Sequence, residues 1–119
     1  MKNYKELNVW KKGIELVKCT YQLAKLFPNE EKFGMISQMT RAAISIPANI
    51  AEGSSRNSDK DYARFLQIAL GSAFELQTYF ILCRELKWVS ENEIEKIETI
   101  LEEEIKMIQA FLKKLSAIS

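Results

Sequence analysis

The chain has 119 residues, the size of one domain, and its 47% hydrophobic and 28% charged residues exclude a disordered polypeptide. Four glycines and two prolines are too few for the tight turns of a β-sandwich or barrel, so the composition favours long helices. Because histidine is absent, Ser-His-Asp and Cys-His catalysis, imidazole zinc sites and the Glu-x-x-His di-iron motif are excluded.

The net charge of +1 gives no overall attraction to nucleic acid or to a membrane. The charge is uneven, since residues 1–60 hold 10 Lys/Arg and 6 Asp/Glu, whereas residues 61–119 hold 7 and 10. Cys19 and Cys83 lie in apolar helical patterns and are expected to be reduced. The N-terminus has no apolar leader and no uncharged run exceeds ten residues, which predicts a cytoplasmic protein without a membrane partner.

Apolar periodicity predicts the first two helices. The first covers about residues 8–26, and Pro28 ends the segment. The second covers about residues 29–52, with Asn29 as the N-cap and two glutamates in the first turn. Pro47 lies inside this pattern and predicts either a kink or an early end of the helix.

Two capping boxes mark the next helices. Ser58 begins a helix over about residues 58–86 that is apolar nearly all round, and Ser90 begins one over about residues 90–115. Glu104 interrupts the apolar stripe of the last helix. Since the connections are short, neighbouring helices must be antiparallel, and the prediction is a single-domain, all-α, up-down-up-down four-helix bundle.

Helices one and three carry more apolar residues than a bundle of this size needs. A large exposed apolar patch is rare on a monomer, so this surplus predicts a homo-oligomer. The alternative is that the extra residues are scattered over the surface, where single apolar side chains are tolerated.

A row of lysines follows the first helix. Lys11, Lys18 and Lys25 recur every seven residues and Lys12 is adjacent. The row is interpreted either as an ordinary solvated face, as a face that binds nucleic-acid phosphates, or as a contact for the acidic half of helix four on a neighbouring chain.

A polar stripe follows the second helix, opposite its apolar side, and two charged residues of helix three are candidate partners for it. The candidate network consists of Arg41, Ser45, Asn49, Glu52, Arg64 and Glu75. One interpretation is a solvated face that also satisfies backbone groups freed by Pro47; the other is a buried network that fixes the helix register or contacts a ligand. In the buried network, Glu52 or Glu75 would pair with Arg41 or Arg64.

No catalytic, cofactor-binding or metal-binding residues are predicted. Without histidine, a glycine-rich phosphate loop or a metal-ligand quartet, the residues give no basis for enzymatic activity or a cofactor.

Several blocks spread over residues 4–115 resemble a known family. The most specific is Ser-Ile-Pro-Ala-Asn-Ile-Ala-Glu-Gly at residues 45–53, and the others lie at residues 7–12, 27–28, 38–42, 65–72 and 75–76. The chain resembles the bacterial four-helix-bundle family of 23S rRNA intervening-sequence proteins, whose name comes from genes found inside insertions of ribosomal RNA genes.

The resemblance implies an all-α bundle assembled as a five-subunit ring, with no catalytic residues. The related accessory variability proteins of diversity-generating retroelements bind nucleic acid and a reverse transcriptase through a basic surface. The leading hypothesis is therefore a non-enzymatic homopentamer that binds RNA or DNA, or a nucleic-acid-processing protein, through a repeated basic face. The alternative is a protein-binding scaffold without nucleic-acid contact.

Overall fold

A computed structural model describes residues 3–28, 30 and 34–118. Within these residues the chain forms a short 3-10 turn over Tyr4–Glu6 and then helices only, with no strand. The helices are α1 (Asn8–Ala24), α2 (Met35–Ser54), α3 (Asp59–Glu85) and α4 (Glu91–Ile118). The predicted all-α class is confirmed.

The starts of α3 and α4 follow their predicted capping residues. The Ser58 hydroxyl accepts a hydrogen bond from the Asp61 N–H at 3.1 Å, and the Ser90 hydroxyl accepts one from the Glu93 N–H at 3.3 Å. Each bond satisfies a backbone donor that the first helical turn leaves unpaired. Local side-chain chemistry therefore determines where both helices begin.

The predicted bounds of the second helix are wrong at its start. α2 begins at Met35 after Gly34, whose position provides no side-chain cap, and the expected cap Asn29 lies outside the described residues. Just before this position the Phe27 ring packs on Trp88, with 5.3 Å between the ring centres.

Pro47 does not end α2. The helix continues through the buried Pro47 to Ser54, so the early end offered as one alternative is wrong. A proline in a helix removes one backbone hydrogen bond. The packing of α2 on α1 and α3 outweighs that loss, since most helical stability in a protein comes from tertiary packing.

Each helix packs on two neighbours, α1 and α3 both contacting α2 and α4. The shared core is apolar, with Leu16, Ile46, Phe80 and Ile108 fully buried, one from each helix. The single buried carboxylate among the described residues, on Glu104, also lies there.

Among the described helices, α3 alone has the length and apolar composition of a membrane span. The core helix of a globular protein meets the same criteria. Since α3 packs against both α2 and α4, we interpret it as a core helix.

Candidate functional site

The basic face consists of Lys11, Lys18 and Lys25, which lie along α1 and at its C-terminal cap. All three are exposed, and among the described residues none of them forms an ion pair. Residues seven apart share one side of a helix and are separated by a rise of about 10.5 Å. The face therefore presents three open positive charges in a row to solvent.

Lys12 differs from these three residues. Its Nζ lies 3.3 Å from Glu103 Oε1 on α4 and 3.4 Å from Glu15 Oε1 on its own helix. The hydrogen bond to Glu103 raises the pKa of Lys12. Because its charge is already paired, Lys12 joins α1 to α4 and does not belong to the basic face.

Part of the candidate polar network does join two helices. The Asn49 side-chain amide donates to the Ser45 hydroxyl at 2.9 Å and to the Ser45 carbonyl at 2.8 Å. The Ser72 hydroxyl of α3 donates to the Ser45 hydroxyl at 2.8 Å. Ser72 is not among the residues predicted for this network; its only signal in the sequence is a small polar residue within a mostly apolar helix.

The expected pairing of Glu52 with Arg41 or Arg64 is absent among the described residues. Instead Glu52 pairs with Arg56 at 2.8 Å, and Arg64 pairs with Asp61 at 3.0 Å. Glu52 and Arg64 are exposed and their partners Arg56 and Asp61 are half-buried, and a partner three or four residues away is within easy reach on a helix surface.

Glu75 is likewise engaged locally, since its Oε2 accepts a hydrogen bond from the Tyr79 hydroxyl at 2.7 Å. Arg41 is exposed and lines one shallow depression together with Ser45, Ser72 and Glu75. The structure therefore brings Arg41 and Glu75 to the same depression between α2 and α3, without an ion pair between them.

A second group of cations lies where α2 connects to α3. The Arg56 and Arg64 guanidinium groups lie 4.5 Å and 4.7 Å from the centre of the Phe65 ring. The acids that pair with them, Glu52 and Asp61, cancel both charges. This cluster therefore offers less net positive charge than the basic face.

Exposed apolar side chains occur on several helices. On α3, Phe74 and Ile81 lie seven residues apart on one side of the helix and are each 45% exposed, and we call them the α3 apolar patch; Ile68, 44% exposed, lies on another side. A shallow apolar depression lies where the N-terminal turn, α1 and α2 meet; it is lined by Tyr4, Trp10, Ile14, Ile44, Pro47, Ala48 and Ala51. The predicted apolar surplus of helix three is thus exposed only in part, since Phe65 is buried, and part of that of helix one lines the depression.

Glu104 is the most unusual ionisable group in the described chain. It is 0% exposed, and neither carboxylate oxygen has a hydrogen-bond partner. Its Oε2 lies 2.9 Å from the place that a Cβ atom would take on Gly13, and Pro47 Cβ lies 3.2 Å from that same place. Burial raises the pKa of Glu104 to about 8, and the charge of Lys12 opposes this effect.

These features define the class of protein: a small bundle of four helices whose exposed polar and apolar groups lie on open faces. No cluster of three metal-ligating side chains occurs in the part of the chain that the structure describes. The family model for the 23S rRNA-intervening sequence protein matches residues 5–110, and the chain belongs to this family. The family resemblance of the sequence is thereby confirmed.

A solved structure has a similar fold. It is the 1.70 Å crystal structure of a protein with unknown function from the S23 ribosomal protein family of Bacteroides thetaiotaomicron VPI-5482. The two chains are 30% identical with a TM-score of 0.82, over 88% of this chain and 98% of that chain. No curated protein matches the chain.

Proposed function

We propose that this protein is a non-enzymatic, cytoplasmic, homo-oligomeric module that binds RNA or DNA through the basic face. The observation that carries this proposal is the row of three exposed lysines without ion pairs. Lysines in such a row neutralise phosphates and release counterions, which drives binding without reading base edges.

The arrangement that we propose for the bundle is antiparallel, up-down-up-down. Support comes from contacts that run in reverse order along neighbouring helices. At the end of α3, Arg84 pairs with Glu91 at 2.9 Å, whereas near its start the Tyr62 ring meets that of Phe111, far along α4, edge to face. The same reversal relates α2 and α3. Ser45, in the middle of α2, is bonded to Ser72, in the middle of α3, whereas Gly53, near the end of α2, faces Phe65, near the start of α3.

Assembly into a ring, with five subunits as the family resemblance implies, would bury the α3 apolar patch. Exposed apolar side chains of this size are the kind that association removes from water. A ring would also repeat the basic face, so that a polyanion touching several copies gains avidity without a new contact. We therefore expect light scattering to give a mass several times 13.8 kDa; a monomer at micromolar concentration would contradict assembly.

The test of nucleic-acid binding is an electrophoretic shift with structured RNA and with duplex DNA at two salt concentrations. The triple variant Lys11→Gln, Lys18→Gln, Lys25→Gln should bind more weakly than the parent and lose less affinity as salt rises. The matched control changes Lys106, Lys113 and Lys114, three exposed lysines of α4, to glutamine. It removes the same charge elsewhere and should bind like the parent.

The second candidate function is a protein-binding scaffold. The apolar depression lined by Trp10, Ile14 and Ile44 favours it, since such surfaces mark sites of protein contact. If the parent shows no shift at about 50 mM salt, where phosphate contacts are strongest, or if both triple variants bind equally, nucleic-acid binding through the basic face is wrong and the scaffold replaces it.

A further inference from the structure

The strongest unexplained feature of the molecule is Glu104, in the middle of α4. Its side chain is completely buried and its two carboxylate oxygens have no partner. Oε2 lies beside Gly13 of α1, and Pro47 of α2 borders the same space; we call this space the niche. A Cβ on Gly13 would come within 2.9 Å of Oε2, so the absent side chain provides the space that the carboxyl occupies.

The niche offers nothing that would stabilise a negative charge. Pro47 has no N–H group, and Gly13 lies inside α1, where backbone N–H groups bond to the preceding turn. A buried carboxylate without donors or a counter-ion is among the costliest groups that a protein can hold, so the group neutralises instead.

The charges that face Glu104 are few. None of the buried residues of α1 and α2 is titratable. On α3 the only buried titratable residue is Cys83, which lies near the end of the helix, where Arg84 pairs with Glu91. From α1, Lys12 acts on Glu104 at a distance, while its ammonium binds Glu15 and Glu103. The preceding residue of α4, Glu103, is exposed.

We propose that Glu104 is a proton-controlled latch: as a neutral acid it allows α4 to close over the Gly13–Pro47 niche, and its ionisation loosens the contact of α4 with α1 and α2. The proposal is independent of the proposed function. Burial raises the pKa of Glu104 to about 8, so the latch is closed in neutral solution and opens under mildly alkaline conditions. An ionised carboxyl reaches water only when the helices that cover it separate, because none of its surface is exposed.

The test compares denaturant unfolding of the parent, Glu104→Gln and Glu103→Gln between pH 5 and pH 9. Glu104→Gln keeps the shape but cannot ionise, and Glu103→Gln removes the adjacent, exposed acid. Relative to Glu104→Gln, the unfolding constant of the parent should rise by up to about tenfold per pH unit as pH increases from 5 to 8, and then level off. Glu103→Gln should follow the parent.

Two further measurements locate the effect. In carbon-13 spectra of the parent, one glutamate carboxyl should titrate far above the ordinary glutamate pKa, and this readout does not need the Gln variant to fold. At pH 8.5, amide exchange in α4 should be faster in the parent than in Glu104→Gln. The proposal is overturned if all glutamate carboxyls titrate near about 4.3, or if the parent and Glu104→Gln share one pH dependence of unfolding.

Discussion

Glu103 and Glu104 are adjacent on α4 and have the same side chain, yet they lie in opposite environments. Glu103 is exposed and its Oε1 lies 3.3 Å from Lys12 Nζ, so water and a cation both stabilise its charge. Glu104 is fully buried and has no partner, and burial raises its pKa to about 8. A rotation of about 100° around the helix axis therefore separates a solvated ion pair from a neutral core acid.

The largest expected effect comes from removing the buried acid. Replacing Glu104 by methionine, an unbranched apolar residue, should raise the free energy of unfolding at pH 8 by about 1–4 kcal/mol, the gain known for buried ion pairs that are replaced by apolar groups of similar volume. The pKa of Glu104 is higher in the folded protein, about 8, than in the unfolded chain, about 4.5. Glu104 therefore destabilises the parent least below about pH 4.5, and destabilises it increasingly as the pH rises to about 8. The gain should therefore shrink toward pH 5.

Denaturant titration at pH 5 and at pH 8 measures this gain. The matched control is Glu103→Met, which changes an exposed position and should alter stability by less than about 1 kcal/mol at either pH. A Glu104→Met protein that is less stable than the parent at pH 8 would contradict the account of Glu104 as an unfavourable buried acid.

The second effect concerns the space beside Glu104. Gly13→Ala puts a Cβ at 2.9 Å from Glu104 Oε2 and 3.2 Å from Pro47 Cβ, and such overpacking costs about 1–3 kcal/mol. Better helix propensity offsets up to about 1 kcal/mol, so we expect a net loss of stability. In the Glu104→Ala background the closer of the two contacts disappears while that with Pro47 stays, so the same change should cost less stability.

Gly71→Ala is the matched control for this substitution. Gly71 is an exposed glycine within α3, and a Cβ there would meet nothing within 4 Å. Alanine should therefore stabilise the protein by up to about 1 kcal/mol at this position. If Gly13→Ala stabilises the parent as much as Gly71→Ala does, Gly13 is not needed to make room for the carboxyl.

The parts of the molecule that were predictable from the sequence depend on local chemistry. Ser58 and Ser90 bond to backbone groups three residues away, so the starts of α3 and α4 could be identified from their capping boxes. The seven-residue spacing of Lys11, Lys18 and Lys25 places them on one side of α1 for the same reason. By contrast, α2 starts without a side-chain cap, and its start could not be identified.

The parts that were not predictable depend on contacts between distant residues. Lys12 looks like a fourth member of the lysine row until α4 brings Glu103 to it, 91 positions along the chain. The interruption of the apolar stripe by Glu104 was visible, but the niche depends on Gly13, which is equally distant in sequence. Glu52 and Arg64 were predicted to pair across helices, but each pairs instead with a residue one turn away on its own helix surface.

The smallest expected effect comes from Lys12, which forms an ion pair with Glu103 and whose charge acts on Glu104 through space. Lys12→Gln should cost less than about 1 kcal/mol of stability, because exposed ion pairs are weak and are screened by salt. The positive charge of Lys12 opposes the rise in the pKa of Glu104, so its removal should move that pKa upward. The pH range over which Glu104 destabilises the fold should then shift toward higher pH, by less than the shift that burial itself causes.

Carbon-13 titration of the glutamate carboxyls in the parent and in Lys12→Gln measures this shift. Lys11→Gln, one residue away on the exposed basic face, is the control and should leave the pKa of Glu104 unchanged. A downward shift in Lys12→Gln would mean that burial and the field of Lys12 do not act on Glu104 in the way that the structure indicates.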